Sequence, residues 1–186
     1  MAKFYSELDA SLRLFIERQR IFFNASAPNN GRINVSPKGL DTFRILSNNR
    51  VAYLDLTGAE NETAAHIAEN GRLTLMFCSF DEKPLILRLY GRGRVVHQRD
   101  SEWQDLHSHF TLIPGERQII VLEIESLMTT CGFGVPLYEF KEDRAMLPEF
   151  SCNMGDEKMD EYRHKKNQES IDGLPTHLFD EPTGND

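Results

Sequence analysis

Seven short runs with strand character, each closed off by turn residues, constrain this 186-residue chain more than any other feature. They cover positions 21–25, 33–35, 42–46, 51–56, 73–77, 85–96 and 118–127 and are rich in β-branched, aromatic and aliphatic residues. Between them stand Pro28-Asn29-Asn30-Gly31, Ser47-Asn48-Asn49 and a stretch ending at Pro84, all of them turn formers. Many strands with short links predict a closed or partly closed antiparallel barrel. Helices flank it. Ser6, with Asp9 three residues on, reads as a capping box ahead of Leu8, Leu12, Phe15 and Ile16 at helical spacing, predicting an amphipathic helix over 6–20. A second helix opens at Asn61 and stops at Gly71, a third covers 101–110, and a charged one lies within 155–169. The fold class is mainly β with added helices. One domain is expected over 1–150, including the leading helix, followed by a C-terminal helix and polar tail over 151–186. The last ten residues have the composition of a disordered end.

A formal charge of −8 and a pI near 5.3 disfavour nucleic acid and anionic membrane as partners, since both need a clustered positive field. A small-molecule substrate fits better. The local basic run Arg88, Arg92, Arg94, His97 and Arg99 reads as a small anion site or, equally, as an exposed strand with solvated arginines. No stretch approaches the roughly 20 apolar residues that cross a bilayer, and the start lacks the pattern of a signal peptide. Three widely spaced cysteines, Cys78, Cys131 and Cys152, fit reduced thiols better than a disulfide framework, so a cytoplasmic location is expected. No metal site is expected: His107 and His109 would share a face only on a strand, and their surroundings look helical.

The chemistry concentrates in GRINVSPKG. On a strand, Arg32, Asn34, Ser36 and Lys38 share one face while Ile33 and Val35 share the other. Cations interleaved with hydrogen-bonding groups suit a phosphorylated, polyhydroxylated ligand; a wet face of an antiparallel sheet gives the same pattern. Together with VAYLDLTGAENETAAHIAENGRLTLMFCSF and LILRLYGRGRVV, in that order, this block resembles the pyridoxamine 5′-phosphate oxidase-like family of FMN-binding split β-barrels. The resemblance implies FMN as cofactor, a homodimer and a flavin site at the dimer interface.

FMN needs its phosphate neutralised, its ribityl hydroxyls hydrogen-bonded and its ring held against apolar surface. The resemblance places Ser36 and Lys38, with Val35 and Pro37 beside them, along the flavin. Asp55, Leu56 and Thr57 leave a strand, and Asn61, Glu62 and Thr63 open a helix whose free N–H groups are a natural phosphate cradle. Asn61 also reads as the cap of its own helix. Where pyridoxamine phosphate oxidases carry a Ser-Arg-Lys-like run, this chain has Asn61-Glu62-Thr63, so the phosphate's charge must come from Arg32, Lys38 and Arg88, with Arg92 or Arg94 acting across the dimer. Arg88 occupies the family position beside the flavin ring. The Trp-Arg-Leu-x-Pro-like tail that closes over substrate in those oxidases is missing, and the SIDGLPT segment with Asp172, Gly173 and Pro175 reads as a surface tail in preference to a closing segment. The sequence therefore points to an FMN-dependent oxidoreductase acting on an unknown small molecule and not to the oxidase itself. A non-catalytic flavin-binding or storage protein, or a split barrel holding a deazaflavin or haem, stands as the alternative.

Overall fold

Alternation along the strands decides which way each face of the sheet turns. Leu73, Leu75 and Phe77 on one strand and Leu87 and Leu89 on the next are buried at every second position, and Leu122 and Leu127 join them from a third. The computed structural model describes residues 2–181. Its strands are β1 (Lys3–Tyr5), β2 (Phe22–Ser26), β3 (Asn34–Lys38), β4 (Phe43–Ile45), β5 (Arg50–Leu56), β6 (Arg72–Cys78), β7 (Ile86–Val96) and β8 (Glu116–Thr130). Its helices are α1 (Ala10–Arg18), α2 (Glu62–Asn70), α3 (Trp103–His107), α4 (Met146–Met154) and α5 (Asp156–Lys166). All pairings are antiparallel, and the eight strands form one sheet in the order β3-β2-β6-β7-β8-β5-β4, with β1 added to β8. The sheet curls into a half-barrel, the split-barrel architecture expected from the sequence.

The 15-residue β8 is the spine, pairing with β7 along one edge and with β5 and then β1 along the other. It serves two cores. Val51, Tyr53, Ile120 and Leu122 face the barrel interior, while Ala52, Leu54, Ile119 and Val121 face a second cluster closed by Trp103, Leu106 and Phe110 around α3. Burial on both faces explains why β5 reads as an almost unbroken apolar run.

Three sequence expectations shift. The leading helix begins at Asp9, whose Oδ1 accepts the Leu12 N–H at 2.8 Å; Ser6 lies outside it, and Leu8 is buried ahead of the cap. An unforeseen α4 precedes α5, and an unforeseen β1 pairs with β8. The tail is ordered as far as it is described: Arg99 donates to the His177 carbonyl at 2.6 Å and the Leu178 carbonyl at 2.7 Å. Positions 182–186 lie outside the described residues.

Where β7 crosses β8 the register slips, because Tyr90 pairs with Ser126 but Gly91 pairs with Ile124, leaving Glu125 extra in a bulge. A Cβ on Gly91 would run into the Glu123 carbonyl, a backbone atom that cannot swing away. Gly91→Ala is therefore expected to cost about 2–3 kcal/mol, the scale of overpacking a rigid site. The loop variant Gly134→Ala, which meets nothing within 4 Å, should stay within about 0.5 kcal/mol of wild type. Urea unfolding of the two variants measures both.

Candidate functional site

A buried carboxylate near the end of β5, one strand in from the β4 edge of the sheet, organises the polar residues. Asp55, near the end of β5, is 2% exposed, and three donors converge on it: Lys38 Nζ at 2.7 Å on Oδ1, and Arg117 Nη2 at 2.6 Å and Gln118 Nε2 at 2.9 Å on Oδ2. Burial alone would raise its pKa, but the Lys38 and Arg117 charges outweigh that and hold the carboxyl well below the usual carboxylate range. Tyr53, two residues earlier on the same face, moves the other way: burial and then the Asp55 charge push its phenol well above its ordinary pKa, so it stays protonated.

From this centre a polar chain runs to α2. Asn24 donates through Nδ2 to the Tyr53 hydroxyl and the Thr63 hydroxyl, each at 2.7 Å; Asn34 donates to Thr63 at 3.1 Å, and Ser36 donates to Asn34 Oδ1 at 3.1 Å. Lys38 Nζ also lies 5.7 Å from the Tyr53 ring centroid. The alternating face read from GRINVSPKG is thus real, with Asn34, Ser36 and Lys38 half-buried, while Ile33 and Val35 stand out in solvent at 76% and 60% exposure.

The amino end of α2 differs from the expected open cradle. Asn61 is buried but makes no capping hydrogen bond to its helix; it accepts from Gln118 Nε2 at 2.8 Å and donates to the Asn167 carbonyl at 3.4 Å. Glu62 accepts the Ile171 N–H at 2.7 Å. Segment 167–176 is therefore packed down on the site, which corrects the surface-tail reading: Asn167, Ser170 and Thr176 are buried, and Asp172 pairs with Arg32. Arg117 ties the segment to the centre by donating to Asn167 Oδ1 at 2.8 Å. Leu56 turns into the second core, and Thr57 accepts from Arg163 Nε at 2.9 Å, outside the polar chain. His66 on α2, fully buried, meets Ser26 at 3.0 Å.

The basic run does not converge. Arg92 faces Glu125, Arg94 is paired with Glu102, and Arg99 donates to the carbonyls of His177 and Leu178. Arg88 is half-buried with no carboxylate partner among the described residues and donates to the Thr130 hydroxyl at 3.3 Å. The sequence reading overlooked Asn24, Arg117, Gln118 and Asn167. For the first three the available signal was polar residues at strand positions with apolar neighbours, since such residues are buried only with partners; Asn167, just past α5, carried no such signal. Buried atoms with no partner gather here too: Asn24 Oδ1, His66 Nε2, Arg117 Nε and Gln118 Oε1. A polar cluster with spare hydrogen-bonding capacity is built to receive water or a ligand.

Residues 8–131 match the sequence profile of the pyridoxamine 5′-phosphate oxidase family. A pyridoxamine 5′-phosphate oxidase family protein of Aspergillus flavus, ustO, is 40% identical over 195 residues, covering 94% of this chain and 78% of its own. Among solved structures, a candidate pyridoxamine 5′-phosphate oxidase of Lactobacillus delbrueckii superposes with a TM-score of 0.53 at 17% identity, covering 66% of this chain and 94% of that one. HupZ of Group A Streptococcus gives 0.51 at 15% identity, covering 64% and 91%. At these identities the two structures speak to the fold alone.

Two titrations should destabilise the protein in sequence as the pH falls. Burial, and then the nearby Arg99 charge, lower the pKa of His97 from 6.5 to about 4. The unfolded chain takes up that proton first, so stability is lost between pH 6.5 and 4. Asp55 is also depressed when folded, so its contribution, full above the unfolded pKa of about 3.9, drains away below it. His97→Asn removes the first step. Asp55→Asn leaves Lys38 and Arg117 without their counter-charge and should cost about 3–5 kcal/mol at neutral pH. Denaturant midpoints measured from pH 7 to 3 check both.

Proposed function

The chain belongs to the pyridoxamine 5′-phosphate oxidase family, and from that premise we propose that it is an FMN-binding flavoprotein, an oxidoreductase acting on a small molecule, with its flavin held between two copies. One observation carries the reading. Across the outward face of the sheet, register places Pro37, Phe23, Met76, Arg88, Met128 and Phe4 in a single row from β3 to β1. Five apolar side chains flank one arginine, and Phe4 is 68% exposed, with Ile33 and Val35 beyond the other end. An apolar face of this extent with one unpaired cation is suited to a planar anionic ring and to a second subunit closing over it.

The residues present meet a flavin in part. The row offers ring-sized apolar surface, and Arg88 sets a positive charge against it. Asn34 and Ser36, on the other face of the edge strand β3, supply hydroxyl and amide groups of the kind a ribityl chain needs, which a flavin on the row reaches only by passing round that edge. For the phosphate, Lys38 and Arg32 already face Asp55 and Asp172 within one chain, so a second copy's arginines are needed to complete the charge. When bound, FMN supplies the hydride-accepting ring; the chain's own groups bind and orient it and exclude water. The row holds no proton donor or acceptor besides Arg88, which favours a flavin carrier as the second reading. Pyridoxamine 5′-phosphate itself fits poorly, because Glu62 stands where a phosphate-binding cation is required.

FMN-loaded protein should sediment as a dimer at micromolar concentration, and a flavin-loaded monomer would contradict the shared site. Arg88→Met should weaken FMN binding by about 1.5–3 kcal/mol, the scale of a charge-assisted contact, with little change in melting temperature. Stopped-flow mixing with NADPH separates enzyme from carrier. With pyridoxamine 5′-phosphate, kcat/KM should fall below about 10⁴ M⁻¹s⁻¹, the lower end of ordinary enzymes.

A further inference from the structure

Segment 167–176 is held down almost wholly by polar contacts. Its buried side chains are Asn167, Ser170 and Thr176, while Ile171 is 60% exposed. One end is anchored to the barrel, Asn167 by Arg117 and by its own donation to the Gly58 carbonyl at 3.2 Å, and the other end is tied back to the first, Thr176 donating through Oγ1 to the Asn167 carbonyl at 2.7 Å. Between these ends, among the described residues, only the Ile171 N–H to Glu62 and the Asp172 to Arg32 hydrogen bonds join the segment to the barrel. Elements fixed by a few hydrogen bonds, with little apolar surface to bury, are the ones that open locally while the core stays closed.

The Asp172 contact has the form of ligand recognition. Its Oδ2 accepts the Arg32 backbone N–H at 2.7 Å and its Oδ1 pairs with the Arg32 guanidinium, so one backbone donor and one cation grip a single anion. The approach depends on Gly31. Its φ of 137° lies where side chains are strained, and a Cβ there would come within 2.6 Å of Asp172 Oδ2. Arg32 has no other carboxylate partner among the described residues, and its side chain is 67% exposed. Once released, the guanidinium stands at the mouth of the polar row of Asn34, Ser36 and Lys38.

We propose that Gly31 and Arg32 form an anion site for a phosphoryl group, that Asp172 is its resident occupant, and that segment 167–176 is a lid that must lift before a phosphorylated ligand can enter. The lid competes with the ligand: each molecule of bound phosphate displaces one intramolecular carboxylate. Naming that ligand as FMN rests on the reading above, whereas the competition does not.

The test compares wild type with Asp172→Asn, Asp172→Ala and Arg32→Gln in the full chain. The ion pair is partly exposed, so all three should fold, as near-UV circular dichroism checks. Hydrogen exchange of the amides in 169–174 should speed up about tenfold in each variant, because each breaks the latch. FMN affinity, read by quenching of flavin fluorescence, should rise about three- to tenfold in both Asp172 variants, where the competitor is gone, and fall in Arg32→Gln, where the site is gone. Unchanged exchange in Asp172→Ala, or FMN binding equal to or weaker than wild type, overturns the lid. If wild type and all variants bind no FMN, the flavin reading fails by itself, and inorganic phosphate becomes the probe. Phosphate should then raise the melting temperature of Asp172→Ala more than that of wild type, and equal shifts overturn the anion site.

Discussion

One buried carboxylate and the two cations that meet it, Arg117 buried and Lys38 partly exposed, hold the rest of this molecule in register. An isolated charge in such a place would be prohibitively costly, so Asp55, Lys38 and Arg117 are required to meet. Because they come from β5, β3 and β8, their meeting joins the edge of the sheet to its spine. Arg117 then reaches Asn167, so the same charge cluster fixes where the chain beyond α5 is laid down. The polar chain through Tyr53, Asn24 and Thr63 is a second consequence. Once Asp55 is ionised under the barrel floor, every neighbour with hydrogen-bonding capacity is drawn into serving it or each other.

The strands were legible because two physical signals agreed on them, a run of β-favouring residues and a turn that cannot be anything else. All seven runs reappear within a few residues, and the two cores explain why run 51–56 lacks alternation. What escaped has equally physical reasons. The strand β1 is three residues long and carries no period; it exists because β8 continues past the end of β5 and offers it an edge. The helix start moved from Ser6 to Asp9 because a cap is decided by where the chain turns, and Leu8, buried against the barrel, fixes that point.

The site was legible in its composition and obscure in its connections. Residues 34, 36 and 38 share a face as their spacing requires, yet the apolar face of the same strand, Ile33 and Val35, is the one left in water. Spacing gives alternation and leaves open which side is inside. Asn61 shows the other limit: its type and position suit a helix cap, but Gln118 and Asn167, which lie far off in sequence, take its amide instead. Partners brought from a distance are what a single sequence does not display.

The pairing of β1 with β8 also bears on how the protein comes into being. Lys3 meets Thr129 and Tyr5 meets Leu127, so β1 can take its place only after β8, far later in the chain, has been made. Contacts so distant in sequence slow folding, since the chain between must be ordered before they form. Until then β8 presents an unpaired edge, the kind of surface on which nascent chains associate wrongly. β1 thus acts as the closing stitch of the fold, and a growing chain would hold its barrel open until that stitch is drawn.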